Sequence, residues 1–128
     1  MKAREQTEKS AAERIASLRL EEDMWIDDEG VAWTSRQSFV GIALLGFCGC
    51  GAEDDALDFV LEALECFEDR ENGYGRIHAL VPRNGMGAFV LYQFDHLGLI
   101  EHGSTVRGSW LTDDGRAVLA FLREKKRA

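Results

Sequence analysis

Three cysteines are the residues of this chain whose type and spacing could hold a metal ion. Cys48 and Cys50 are separated by one residue, and Cys66 follows in a later segment. An imidazole could complete a tetrahedral zinc site with the three thiolates, and the candidates are His78, His96 and His102. The spacing argues against zinc, because its cysteine pairs are typically separated by roughly two to four residues. We therefore predict no bound metal, no cofactor and reduced thiols.

No catalytic motif stands out elsewhere in the sequence. It contains neither a nucleophile elbow nor an H-E-x-x-H segment, and the glycines at 46, 49 and 51 lack the lysine of a phosphate-binding loop. The carboxylates cluster at predicted helix starts and on an exposed face, where a solvated role is the ordinary one. The chain is therefore predicted not to be an enzyme, and no small-molecule substrate is evident.

Polar and basic residues of the C-terminal half are the candidates for binding nucleic acid or a protein partner. They flank a helix predicted at 86–97, some before it and some in a predicted turn near 103–108. The seven candidates are Arg76, His78, Arg83, Asn84, Ser104, Thr105 and Arg107. In nucleic-acid complexes, Arg, Ser, Thr and Asn side chains commonly contact phosphates. The alternative is that the basic ones are scattered solvated charges, or pair with Asp95 and Glu101.

The net charge of -8 is unevenly spread along the chain. Residues 1–70 hold 7 Lys and Arg against 17 Asp and Glu, a balance of -10, whereas residues 71–128 hold 8 against 6, a balance of +2. A protein that binds duplex DNA usually has a clear excess of basic side chains, because phosphate neutralisation supplies much of its affinity. The charge therefore favours a protein partner over DNA, and a homodimer is a further option.

The length of 128 residues predicts a single domain over 1–128. Its first part, 1–70, is expected to be acidic and helical with a β-hairpin near 24–33. The second part, 71–128, is expected to hold the binding module. No apolar run approaches the roughly 20 residues of a membrane span, and the N-terminus lacks the apolar core of a signal peptide. We expect a cytoplasmic protein without a membrane partner.

Local patterns predict the elements of the first part. Ser10 and Glu13 form a capping-box pattern at the start of a short helix. Trp25 and Trp33 lie on either side of an acidic turn, in a pattern typical of a hairpin. A nearly all-apolar segment predicts a buried helix at 36–47. An acidic start and an apolar stripe at spacings of three and four predict another helix from Glu53 to about Asp69.

The second part is predicted to hold a short helix or strand at 76–81 and a helix at 86–97 with Asn84 as its N-cap. Residues 88–92 of that helix are consecutively apolar and surround its axis. We therefore expect the helix to be buried on both sides, either by this chain or by a second protein. It offers few groups that could read base edges.

The segment 94–122 reads FDHLGLIEHGSTVRGSWLTDDGRAVLAFL, which indicates a helix end, a strand, a turn, a strand and a new helix. Its "LGLIE" and "LT..GR..L" phrases resemble the winged-helix pattern of PadR-type and MarR-type regulators over residues 74–123. This resemblance implies a winged helix in the C-terminal part. The loop "FCGCG" and the later "DHLGLIEHG" also resemble small uncharacterised proteins of phages and prophages, which implies an accessory protein, including one that inhibits a host system.

Together these patterns predict a mostly helical α+β domain with a winged-helix C-terminal part and a short N-terminal hairpin. The predicted function is non-enzymatic binding through protein contacts. The partner could be a host nucleic-acid-binding system that the chain inhibits, since an acidic surface can imitate DNA. The alternative is a winged-helix transcriptional regulator that binds DNA mainly through phosphates.

Overall fold

The computed structural model describes residues 9–49, 53–103 and 108–127. The protein is α+β, as predicted, with six α-helices, one π-helix and two small antiparallel sheets in the described residues. The chain divides into two compact units, Met1–Cys50 and Gly51–Ala128, and each is described by itself. The single domain expected over 1–128 stays a prediction.

The first unit begins with the short helix α1, Ala11–Ala16, which carries the predicted capping box. The Ser10 hydroxyl accepts a hydrogen bond from the Glu13 amide at 3.1 Å, and the Glu13 carboxylate accepts one from the Ser10 amide at 2.9 Å. Two amide groups that a helix start leaves unpaired are thereby satisfied.

A three-stranded antiparallel sheet follows, built from β1 (Arg19–Glu21), β2 (Met24–Ile26) and β3 (Ala32–Trp33). The predicted hairpin is confirmed as β2 and β3, with Trp25 directly opposite Trp33. Strand β1 was not predicted, because its three residues are exposed and mostly charged. It joins β2 through Glu22 and Asp23, which both have a positive φ, the conformation that primed hairpin turns require.

Asp27 fixes the turn between β2 and β3 and is only 2% exposed. Its carboxylate accepts hydrogen bonds from the amides of Glu29 (2.8 Å) and Val31 (2.9 Å) and from the Trp33 indole (2.9 Å). Burial alone would raise the pKa of Asp27, but these bonds outweigh it and hold the pKa below its ordinary value. The Trp33 ring then meets the buried Phe39 edge-on, with 5.8 Å between centroids.

The helix predicted at 36–47 forms as two shorter elements. Helix α2, Arg36–Ser38, is capped by the Ser35 hydroxyl, and a π-helix continues it over Phe39–Leu44. The wider coil brings the Leu45 amide to the Val40 carbonyl at 3.0 Å, five residues back. Residues 39–44 contain no polar side chain, so they show no period that would separate a π-turn from an α-turn.

The second unit contains α3 (Glu53–Cys66), α4 (Gly73–Leu80), α5 (Met86–His96), β4 (Ile100–Glu101), β5 (Trp110–Leu111) and α6 (Asp113–Arg127). Strands β4 and β5 are antiparallel, with Ile100 opposite Leu111. The order of helix, strand, strand and helix expected from 94–122 is confirmed. The segment at 76–81, left open between helix and strand, lies in and just after helix α4.

The core of this unit lies between α3 and α6, which pack against each other. The apolar stripe predicted for α3 and the turn after it is buried. Its residues are Leu57, Val60, Leu64 and Phe67. The buried side chains of α6 are Val118, Leu119, Phe121 and Leu122. Arg123 of α6 forms ion pairs with Glu65 of α3 and with Glu68 in the turn after it, beside this core.

The backbone just before β4 contacts the start of α6. We call this contact the β4–α6 junction, and its residues are Gly98, Leu99, Thr112 and Gly115. The Thr112 amide donates to the Leu99 carbonyl at 3.0 Å, and its hydroxyl donates to the Gly98 carbonyl at 2.6 Å. The same hydroxyl accepts from the Gly115 amide at 3.0 Å and so caps α6. A Cβ atom at Gly115 would lie 2.0 Å from the Leu99 carbonyl oxygen.

Helix α5 begins differently from the prediction. Its N-cap is Gly85, not Asn84, and no side chain caps it. Gly85 has a φ of +82°, in the left-handed region that favours glycine over asparagine. Among the helices of the described residues, none has both the length and the apolar content to cross a bilayer.

We expect Gly115→Ala to destabilise the second unit by roughly 3 kcal/mol, because the added methyl group would overlap backbone instead of a movable side chain. Gly75→Ala is the matched control, since Gly75 lies in α4 with open space around its Cβ position. The control should be neutral or stabilising by up to about 1 kcal/mol. Urea denaturation followed by circular dichroism measures both, and equal midpoints would contradict the role of the junction.

We expect Asp27→Asn to destabilise the first unit by about 1–3 kcal/mol at neutral pH, because the carboxylate serves three donors. The lowered pKa means that this stabilisation is complete above the unfolded aspartate pKa of about 3.9 and is lost as the pH falls through the folded value. The difference in unfolding free energy between Asp27→Asn and wild type should therefore become smaller in acid. Denaturation from about pH 7 to about pH 2 tests this, with exposed Asp23→Asn as control, and a pH-independent difference would be evidence against it.

Candidate interaction surface

The predicted binding residues do not gather in one described cluster. Arg83 and Asn84 are exposed in the turn between α4 and α5, and Arg76 is exposed on α4. Three predicted binding residues of the turn near 103–108 lie outside the described residues: Ser104, Thr105 and Arg107. Their part in binding stays a prediction.

Arg76 lies in an acidic setting. It lines a shallow depression of about 440 Å³ together with Glu71, Asn72 and Tyr74. Hydrogen bonds from Asn72, and to a smaller extent the charge of Arg76, lower the pKa of Asp69. Neighbouring carboxylates therefore offset part of the positive charge that a phosphate contact would use.

His78 packs α4 against α5. Its Nδ1 atom lies 2.9 Å from the Tyr74 carbonyl oxygen, and the two rings are tilted by 39° with 4.4 Å between their centroids. A Cβ atom at Gly87 of α5 would lie 3.0 Å from atoms of the imidazole ring. The glycine thus allows the two helices to approach closely, and the histidine fills the space between them.

One face of α5 is buried and carries Gly87, Val90, Leu91 and Phe94. Phe94 meets Phe67 edge-on, with 6.2 Å between ring centroids. This face fixes the helix on the rest of the unit through close aromatic and aliphatic packing.

The opposite side of α5 exposes three large apolar side chains, which we call the α5 outer face: Met86 (38% exposed), Phe89 (55%) and Tyr92 (63%). Their spacing of three residues aligns them along one side of the helix. Of the two ways in which α5 was expected to be buried on both sides, cover by this chain was wrong, since the structure leaves these three side chains exposed. Cover by a second protein stays a prediction. Sequence reasoning did not select Met86 and Phe89 as site residues, although two separate stripes within 86–96 could have revealed them.

The polar groups beside the α5 outer face are few. Gln93 and His96 are exposed four and seven residues after Phe89, and so lie on the same side. Asp95 is exposed and lies 3.9 Å from the His102 imidazole. Helix α5 contains neither Lys nor Arg, so it lacks the side chains that most often read guanine.

Acidic side chains dominate the exposed part of α3. Asp54, Asp55, Asp58 and Glu62 are exposed, and Lys125 of α6 lies 3.4 Å from Asp54. Part of the predicted acidic half therefore belongs to the second unit.

The cysteines do not form a described cluster. Cys48 is exposed, Cys66 is buried, and Cys50 lies outside the described residues. The Cys66 thiol donates to the Glu62 carbonyl at 3.5 Å, and burial raises its pKa, as expected for a packed and unreactive thiol. Within the described ranges, no three His, Cys, Asp or Glu side chains are placed to hold a metal ion. The absence of a metal stays a prediction.

Comparisons with protein families, with curated proteins and with solved structures found no match to this chain. The candidate surface therefore rests on the chemistry of its own residues.

Proposed function

We propose that this chain is a non-enzymatic binding protein that recognises a partner protein through the α5 outer face. The exposure of Met86, Phe89 and Tyr92 on one side of a helix carries the proposal. Grouped apolar side chains on a protein surface typically mark an interaction site. Aromatic residues and methionine are enriched in protein interfaces, and they contribute much of the binding energy.

We further propose that the second unit is a winged helix. The order of three helices, a two-stranded sheet and a fourth helix supports this. In DNA-binding proteins with a helix-turn-helix core, the recognition helix enters the major groove. The equivalent position here is α5, whose outer face carries apolar side chains in place of hydrogen-bonding groups.

The proposal includes a phage or prophage origin, a cytoplasmic location and inhibition of a host nucleic-acid-binding protein. The exposed carboxylates of α3 support the last point, since a row of negative charges can attract a surface that normally binds phosphates. The apolar α5 outer face would then supply affinity that charge alone does not give.

Phe89→Asp should strongly weaken capture of the partner, because it places a charge within the apolar contact. The tagged chain is expressed in its native host, and bound proteins are identified after nuclease treatment. We expect the partner to be recovered at least roughly tenfold less with Phe89→Asp than with wild type.

Leu20→Asp is the matched control, because Leu20 is a similarly exposed apolar residue (59%) in β1 of the other unit. It should leave capture unchanged. Equal recovery with all three chains would reject the α5 outer face as the site. Analytical ultracentrifugation of the wild-type chain and of Phe89→Asp identifies the case in which the partner is a second copy.

The second candidate function is DNA binding through phosphates, favoured by the exposed Arg83 and Asn84 just before α5. Such binding should be weak, nearly indifferent to sequence and steeply dependent on salt, with a log–log slope of about 0.9 per phosphate neutralised. Arg83→Ala should reduce that slope by about one, whereas Arg19→Ala in β1 should not change it. Fluorescence anisotropy with random and candidate operator duplexes at two salt concentrations measures this. Tight binding to a single sequence would contradict the phosphate mechanism.

A further inference from the structure

A second surface feature of the Gly51–Ala128 unit is a small pocket away from the α5 outer face. It has a volume of about 250 Å³ and is formed by the turn after α3, by β5 and by the start of α6. Its lining residues are Phe67, Glu68, Arg70, Trp110, Leu111 and Arg116. The pocket thus combines apolar walls with two guanidinium groups.

Arg70 is held in the pocket by an aromatic ring. Its guanidinium carbon lies 4.6 Å from the centroid of the Trp110 ring, a cation–π distance. Its side chain makes no hydrogen bond to any residue that the structure describes. A guanidinium has five N–H donors, and those of Arg70 are therefore available to a ligand.

Arg116 is fixed by the protein but retains donors. One terminal nitrogen donates to the Leu111 carbonyl at 3.0 Å, and the other donates to the Asp113 carboxylate. These two bonds leave three N–H groups unassigned. The one acidic residue in the lining, Glu68, receives a hydrogen bond from Arg123 at 2.8 Å, which offsets its charge. Asp113 likewise offsets the charge of Arg116, so the net positive charge of the lining comes from Arg70.

We propose that this pocket binds a small ligand that carries a carboxylate or phosphate group next to a compact apolar group. Arg70 and Arg116 would hold the anionic group, since guanidinium donors match the geometry of both oxyanions. Trp110 would make most of the contact with the apolar group, since Phe67 and Leu111 of the lining are only 1% and 5% exposed. The volume lies just below that of pockets for drug-sized ligands, about 300–1,000 Å³, but exceeds several times the roughly 30 Å³ share of one water.

The test is a titration of the full chain with benzoate, phenyl phosphate and inorganic phosphate, followed by the NMR resonance of the Trp110 indole. Benzoate and phenyl phosphate separate the two oxyanions. We expect saturable shifts with at least one of them, and at least roughly tenfold weaker binding of inorganic phosphate, which lacks the apolar group. Equal affinity for all three, or no saturable shift, would overturn the proposal.

Arg70→Gln should weaken binding of the better aromatic anion by roughly tenfold or more, because hydrogen bonds between charged groups are lost. The Arg70 side chain contributes no described hydrogen bond to the fold, so the variant is expected to remain folded, and its urea midpoint verifies this. Arg83→Gln is the control, since it removes an exposed guanidinium outside the pocket. Binding unchanged in Arg70→Gln, or weakened equally in the control, would overturn the proposal.

Discussion

The contact between Gly115 and the Leu99 carbonyl is the constraint on which the second unit depends. With 2.0 Å between that oxygen and the position of a Cβ atom, only glycine allows α6 to begin where it does. Thr112 binds the same region with both its amide and its hydroxyl. The Leu99 amide in turn donates to the Phe94 carbonyl at 2.9 Å, which ties the end of α5 to the junction. The placement of α5 relative to the sheet is therefore set by backbone atoms.

This placement has a consequence for recognition. Helix α5 is held at its C-terminal end by the junction and near its N-terminal end by His78, whose ring packs on Gly87. Its outer face is therefore presented by a fixed scaffold, and a partner would not have to order the helix before binding it. Preorganisation of this kind lowers the entropy loss of association. Because Phe89 and Tyr92 have few rotatable bonds, the side chains add little to that loss.

Local chemistry predicted those parts of the fold in which neighbouring residues decide the outcome. The capping box of Ser10 and the buried stripe of α3 followed from spacing, since each depends on contacts within one or two helical turns. The hairpin of Trp25 and Trp33 followed from the acidic turn between them. The π-helix did not, because residues 39–44 are all apolar or glycine and so show no period that separates a π-turn from an α-turn. Strand β1 was missed for a related reason, as its pairing with β2 leaves no alternation in side-chain burial.

The site was harder to predict than the fold, because exposure depends on what lies opposite a helix. The apolar run 88–92 correctly indicated packing through Val90 and Leu91, but it gave no sign of which remaining side chains the chain itself would cover. The buried and exposed stripes of α5 interleave at spacings of three and four, so both contribute to the same continuous run. The Arg70 pocket lay further beyond sequence reasoning, since Trp110 follows Arg70 by many residues and meets it only through the fold. The net charge of half the chain also gave no indication of the pocket. Binding of an oxyanion depends on the local field of the two guanidinium groups in the lining, which composition does not show.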